Sequence, residues 1–305
     1  MRTRLPRLRQ SRTKKSLIVK LMKTRKLTCG TIYPVTVTYY QPAAIADFHN
    51  QPRRPLVILL PGGGYQFYSD RENEIMVLQY LAQGFAVAVV AYRLRDAPPV
   101  LPVALYQLAN VVGEFHRHAA TYGIDAHKIL LAGFSAGGHL AALYADLWPT
   151  LGSAVNADPD DLAVSALMLA YPVIGLRLGW PTSEAELQEV TAGWTQHEAD
   201  LLVTPQNPPT FIWATREDEL VPVTNTQHYV AALREQQIPV TEIIYPHGPH
   251  GMSLARAVTA FPRSFDSRDL AFGEHFIRPD VAGWFPRHLN WLAARWNLTE
   301  FWLQQ

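Results

Sequence analysis

The chain has 305 residues, of which 48% are hydrophobic and 17% charged, a soluble-globular composition with enough length for one sizeable core. The formal net charge of +1 hides an asymmetry: Met1 to Lys26 carries 11 Lys and Arg and no acid, leaving 16 basic against 26 acidic residues, near −10, for the rest. No run of about 18 apolar residues exists, which excludes a membrane-spanning helix, and the single cysteine, Cys29, excludes an internal disulfide and a Cys-based metal cluster.

Residues 1–30 read as a basic N-terminal extension, disordered or loosely docked, ahead of one α/β domain over 31–305. The extension lacks the apolar core of a secretory signal, and Met22 offers an alternative start. A charge run of this kind is usually a solvated segment. Nucleic-acid association through residues 2–26 is not expected, and would show as strongly salt-dependent binding. The single cysteine is compatible with a reducing cytoplasm, the expected location.

From there "TIYPVTVTYY" (31–40) alternates like an edge strand, with Pro34 interrupting it early. "PLVILL" (55–60) and "GFAVAVVAY" (84–92) are continuous apolar runs, the pattern of strands buried on both faces. Further such runs lie at 128–133, 163–172, 210–215 and 240–246. Helical periodicity falls between them, over about 72–83, 103–121, 138–147 and 223–236. Alternating strands and helices predict a doubly wound, mostly parallel sheet, with ligands gathering at the carboxyl ends of its strands. The tail 282–296 predicts an amphipathic helix docking on the sheet, although its tryptophans would equally suit a subunit contact in a homo-oligomer.

Gly133-Phe134-Ser135-Ala136-Gly137 fits G-x-S-x-G at the junction of a buried strand and a helix. In that setting the glycines allow a tight turn that strains Ser135 and exposes its Oγ above the sheet, while the helix N-terminus favours an oxyanion beside it. A serine hydroxyl is a weak nucleophile, so a base must take its proton and a third group must orient the base. Sheets with such an elbow carry these groups in the order Ser, Asp or Glu, His. Asp218 follows the strand 210–215 and His250 follows the strand 240–245, which satisfies that order. Glu217 and Glu219 compete with Asp218, and His247 competes with His250. His139 precedes the acid in sequence and breaks the order, so it is expected to brace the elbow.

Pro61-Gly62-Gly63-Gly64-Tyr65 follows the strand 56–60, where an HGGG-type loop supplies one side of an oxyanion hole. Gly63 and Gly64 are the candidate donors, with the N–H of Ala136 opposite. A phosphate-cradling loop is disfavoured, because neither G-K-[ST] nor G-x-G-x-x-G is present. "SDRE" (69–72) matches a capping box, Ser69 at N-cap and Glu72 at N3, which accounts for Glu72 without chemistry.

Taken together, the glycine loop with Arg71-Glu72, "GFSAGGHLAA" (133–142), "DELVP" (218–222) and "GPHGMSLA" (248–255) resemble the α/β-hydrolase superfamily. Within it they are most similar to the small bacterial carboxylesterases labelled acetyl-xylan-esterase-like or xylanase-linked esterases, over residues 31–298. The resemblance implies Ser135 as nucleophile, His250 as general base then acid, Asp218 as its orienting carboxylate, and an acyl-enzyme that needs no metal or cofactor. Pro61 stands where many members have His, and Tyr65 where a Trp is common.

The resemblance also implies a small partial cap in the insertion at about 173–209, with a helix near 183–191. Trp180 and Trp194 from that insertion, with Tyr65 and Phe67 from the glycine loop, are candidates to line an apolar pocket, and equally to form the core of the cap. A shallow cap favours short, acetyl-type acyl groups, including those of acetylated carbohydrates, on a small-molecule ester substrate. Two other readings compete: a serine peptidase of the same fold, which normally needs an extra domain or an amine-binding acidic pair that the sequence does not display, and a non-catalytic binding protein that keeps the fold.

Overall fold

Residues 55–60 show why the sheet forms where it does. Leu56, Ile58 and Leu60 face one hydrophobic core and Val57 and Leu59 face a second, all fully buried. A strand with a core on each side has no polar face to alternate with, so its sequence is an unbroken apolar run.

The computed structural model describes residues 22–43, 53–266 and 268–304. In chain order its elements are β1 (Met22–Cys29), β2 (Val35–Pro42), β3 (Arg54–Leu60), α1 (Glu74–Leu81), β4 (Ala86–Ala91), α2 (Val103–Arg117), α3 (Ala119–Tyr122), β5 (Ile124–Phe134), α4 (Ser135–Leu147), α5 (Gly152–Val155), β6 (Ala166–Ala170), α6 (Glu184–Thr191), β7 (Thr210–Thr215), α7 (Thr224–Glu235), β8 (Val240–Tyr245), α8 (Trp284–Trp296) and α9 (Leu298–Leu303). The strands form one sheet in the order β1-β2-β4-β3-β5-β6-β7-β8. β2 runs antiparallel to both its neighbours, and β4 to β8 pair in parallel with β3 between β4 and β5. Helices α2, α4 and α7 bury their apolar faces in the first core, and α1 and α8 in the second. No described helix is long and apolar enough to cross a membrane.

One boundary differs from the expectation. Residues 22–29 are not part of an extension: they form the edge strand β1, paired with β2 from Met22↔Pro42 to Cys29↔Val35. Lys23, Arg25 and Lys26 are exposed on it, and charges on an edge strand guard against pairing with other chains. Three of the basic residues that read as solvated tail, Lys23, Arg25 and Lys26, thus lie in the sheet. Residues 1–21 of the expected extension lie outside the described residues.

The tail is used within the chain. Trp284 of α8 is fully buried and stacks on Trp213 of β7 at 5.1 Å between ring centroids, and Trp291 and Trp296 pack against the same core. His288 of α8 is also fully buried, with Nε2 3.1 Å from the Tyr80 hydroxyl. Burial lowers its pKa to about 3, and burial lowers that of His139 in α4 to about 4. Both rings fold neutral but titrate near 6.5 when unfolded, so below that pH the unfolded chain binds more protons. Stability is therefore full above about pH 6.5 and falls as the pH drops toward 4, by up to about 1.4 kcal/mol per pH unit for each ring. Urea unfolding between pH 7.5 and 4.5 should show this slope, and His288→Phe should flatten it; an unchanged slope would exclude His288 as a contributor.

Candidate active site

The turn between β5 and α4 is closed by contact rather than by flexible glycine dihedrals. A Cβ on Gly133 would lie 2.5 Å from the Gly137 carbonyl oxygen, and one on Gly137 would lie 2.3 Å from that of Leu60. The positive φ falls on Ser135 itself, at 53°, where a side chain is strained and held only by over-determined packing. Helix α4 begins at Ser135 and is buried along its whole length, so the hydroxyl stands at the carboxyl edge of the sheet beside the helix N-terminus.

Two loops bring the other candidates to it. His250 Nε2 lies 2.8 Å from Ser135 Oγ, and His250 Nδ1 lies 2.6 Å from Asp218 Oδ2. A carboxylate only accepts, so Nδ1 carries the proton and Nε2 is free to accept from the serine hydroxyl. Asp218 is buried, and its Oδ1 accepts from the backbone N–H groups of Leu220 at 3.0 Å and Val221 at 2.8 Å. Those bonds fix the plane of its carboxylate. The rivals pair with each other instead: exposed His247 and Glu217 are 2.7 Å apart, and the bond from His247 holds the Glu217 carboxyl below its usual range.

Comparison with known proteins places the chain in a family. The profile of the prolyl oligopeptidase family matches residues 111–263, and the BD-FAE profile matches residues 45–168. The carboxylesterase Cest-2923 from Lactobacillus plantarum WCFS1 superposes with a TM-score of 0.82 at 32% identity, over 90% of this chain and 98% of that one. The chain belongs to the α/β-hydrolase esterases. It is 28% identical to the acetylxylan esterase of Xylanibacter ruminicola over 66% of its own length and 41% of that protein's. With Endo-1,4-beta-xylanase B of Butyrivibrio fibrisolvens it shares 29% identity over 70% of its own length and 35% of that protein's. The chain thus spans well under half of either curated relative.

In this α/β-hydrolase the glycine loop packs against the serine turn. Gly62, Gly63 and Gly64 follow β3, with φ of +124° at Gly63 and +61° at Gly64, values that suit residues without a Cβ. Gly62 is so close that a Cβ there would lie 2.9 Å from Ser135 Cβ. Its N–H donates to Glu72 Oε2 at 2.8 Å, and Gly63 and Gly64 line the cavity beside Ser135.

Glu72 is the residue the sequence misassigned. Ser69 makes no side-chain cap bond, and Glu72 does not reach back to it. The carboxylate is instead buried between Gly62 N–H and the Tyr171 hydroxyl, which donates to Oε1 at 2.7 Å. The same hydroxyl accepts from Ser253 N–H at 2.9 Å, and the Tyr171 ring meets the His250 ring edge-on at 5.1 Å. One carboxylate therefore ties the glycine loop to the loop carrying His250. Capping-box spacing concealed this, because the partners of Glu72 lie 10 and 99 residues away.

His139 braces the glycine loop as well as the elbow helix. The His197 carbonyl accepts from Nε2 at 2.8 Å, so Nδ1 accepts from the Tyr65 hydroxyl at 3.0 Å. Tyr65 is fully buried and is not on the cavity wall, contrary to expectation, because this bond and the edge of Tyr92 hold it inside the core. Trp194 is likewise absent from the wall and packs against the first core beside α6.

Phe67 and Trp180 do line the cavity of about 650 Å³ that opens on Ser135 and His250. Trp180 comes from the insertion at 173–209, which also carries α6. Arg95 pins that helix to the body through Glu186 at 3.0 Å and Glu189 at 2.8 Å.

Proposed function

We propose that this chain is a serine ester hydrolase that works through an acyl-enzyme on Ser135. The observation that carries the reading is the unbroken hydrogen-bond chain from Ser135 Oγ through His250 to Asp218. Ser135 Oγ attacks the ester carbonyl carbon while His250 Nε2 takes its proton, and the Asp218 carboxylate stabilises the imidazolium that results. The negative charge on the carbonyl oxygen falls to the N–H groups of Gly63, Gly64 and Ala136, each donor in such a site contributing about 3 to 4 kcal/mol. Collapse breaks the bond to the alcohol oxygen, which leaves with the proton from Nε2. Water then attacks the acyl-serine, its proton passes to His250, and the acid departs as Ser135 regains its hydrogen.

A short acyl group is the finer part of the reading. Trp180 stands on the cavity wall beside Gly64, where a Cβ would meet its ring at 3.6 Å, and an acetylxylan esterase is among the relatives. The match to the prolyl oligopeptidase profile favours one alternative, a peptidase. p-Nitrophenyl acetate, butyrate and octanoate, assayed beside aminoacyl anilides, separate the two. Esters up to butyrate should be turned over, with kcat/KM falling at least about tenfold at octanoate, and a fluorophosphonate should label Ser135. Preference for anilides would establish the peptidase, and neither turnover nor labelling would leave a binding protein.

Glu72→Gln should lower kcat by about 10- to 100-fold, because displacements well under 1 Å matter at a preorganised site. The amide can accept from Gly62 or from Tyr171 but not from both. Wild-type kcat with an unchanged fold would show that the carboxylate has no part in positioning the loop.

A further inference from the structure

The cavity is far larger than an acetyl group requires, and one side of it is aromatic. Phe261, Phe265, Phe272 and Phe276, from the segment between the His250 loop and α8, line it as a contiguous cluster with neighbouring ring centroids 4.4 to 5.6 Å apart. Phe265 is 59% exposed although it is large and apolar, and Leu220, on the Asp218 loop, lines the same cavity at 51% exposure. The Arg71 guanidinium sits over the Phe261 ring at 4.0 Å and over the Phe276 ring at 4.8 Å. Its Nε donates to the Thr259 carbonyl, and the Ser253 hydroxyl donates to the Arg71 carbonyl. These contacts hold the aromatic wall against the loop of His250, where a Cβ on Gly251 would meet Arg71 Nη1 at 3.9 Å.

Position relative to His250 tells which half of an ester the wall faces. The alcohol oxygen must lie near Nε2 to receive its proton as the C–O bond breaks, whereas Trp180 stands on the Gly64 side of the cavity. Resting on the ester-hydrolase reading above, we infer that the aromatic wall is the subsite for the alcohol half of the substrate, and that this alcohol carries a large apolar ring. Ring faces pack on phenyl groups at low entropic cost, and a pocket of this volume buries most of such a group. The polar side chains of the cavity, among them Gln66, Tyr68, Ser69, Asp70, Arg71 and Glu186, come from the glycine loop, the segment after it and α6, and the aromatic segment itself contributes none to the lining.

Acetates of primary alcohols of similar acidity test this without a difference in leaving-group reactivity: ethyl, cyclohexylmethyl and 2-(1-naphthyl)ethyl acetate, with methyl xyloside triacetate for comparison. The parent should show kcat/KM at least about tenfold higher for the two ring acetates than for ethyl acetate or the xyloside. Phe265→Ala and Phe272→Ala should remove most of that preference, lowering kcat/KM for the two ring acetates at least about tenfold more than for ethyl acetate. Phe265 is exposed, so its loss should not unfold the chain, and far-ultraviolet circular dichroism checks both variants. Ethyl acetate hydrolysis that Ser135→Ala abolishes, without a ring preference, would overturn the inference alone. So would preference for the xyloside, or an equal loss on all substrates in both Phe variants. No hydrolysis of any acetate would overturn the ester-hydrolase reading and the inference with it.

Discussion

Ser135→Ala should reduce kcat on p-nitrophenyl acetate by about 10⁶-fold while leaving thermal stability unchanged or slightly raised. Nucleophile, base and orienting acid act as one unit, so removing the nucleophile removes nearly all that the unit contributes. What persists, roughly 10³- to 10⁴-fold over water, comes from binding and the oxyanion donors. The stability expectation has a separate cause. Ser135 is held at φ 53°, and strain of this kind costs of order 1–3 kcal/mol wherever a side chain is present; alanine keeps the Cβ and so keeps the strain, but it no longer buries a hydroxyl. Steady-state kinetics with active-site titration, beside a melting curve, would check both. Residual activity above about 1% that tracks the variant rather than a contaminant would refute Ser135 as nucleophile.

The second large effect concerns the choice of acid. Asp218→Asn should lower kcat by about 10⁴-fold, because an amide Nδ2 facing His250 Nδ1 imposes the wrong tautomer on the ring. The backbone donors at Leu220 and Val221 can still be met by the asparagine oxygen, so the loop should keep its shape. Glu217→Gln provides the contrast. Its side chain is exposed and bonded to His247, so kcat should stay within about threefold, as expected for surface substitutions. Steady-state kinetics of both variants beside the parent checks the contrast. The reverse pattern would move the acid to position 217.

The residues that were legible beforehand share a property: their signal is local. The strands at 55–60, 128–133 and 210–215 are apolar runs because both faces of each are buried. The serine turn is legible because the glycines whose missing Cβ atoms allow its close backbone contacts lie two residues either side of the strained serine. The order Ser135, Asp218, His250 is legible because strand ends in a parallel sheet lie on one edge, so a position just past a strand already implies a place near the site. Glu72 failed the same treatment, since a pattern satisfied by local capping coincided with partners brought from elsewhere in the chain. Strand β1 was hidden by its charges, which edge strands share with solvated tails.

The amino-acid sequence by itself determined the doubly wound sheet, the strained serine at its edge and the three side chains able to meet there, because periodicity and turn chemistry are properties of neighbouring residues. Tertiary structure alone decided that Glu72 joins the glycine loop to the His250 loop, that Tyr65 turns inward to His139 while Phe67 and Trp180 face the cavity, and that four phenylalanines form one wall of it. Those outcomes depend on which distant surfaces pack together, and no period in the chain records that.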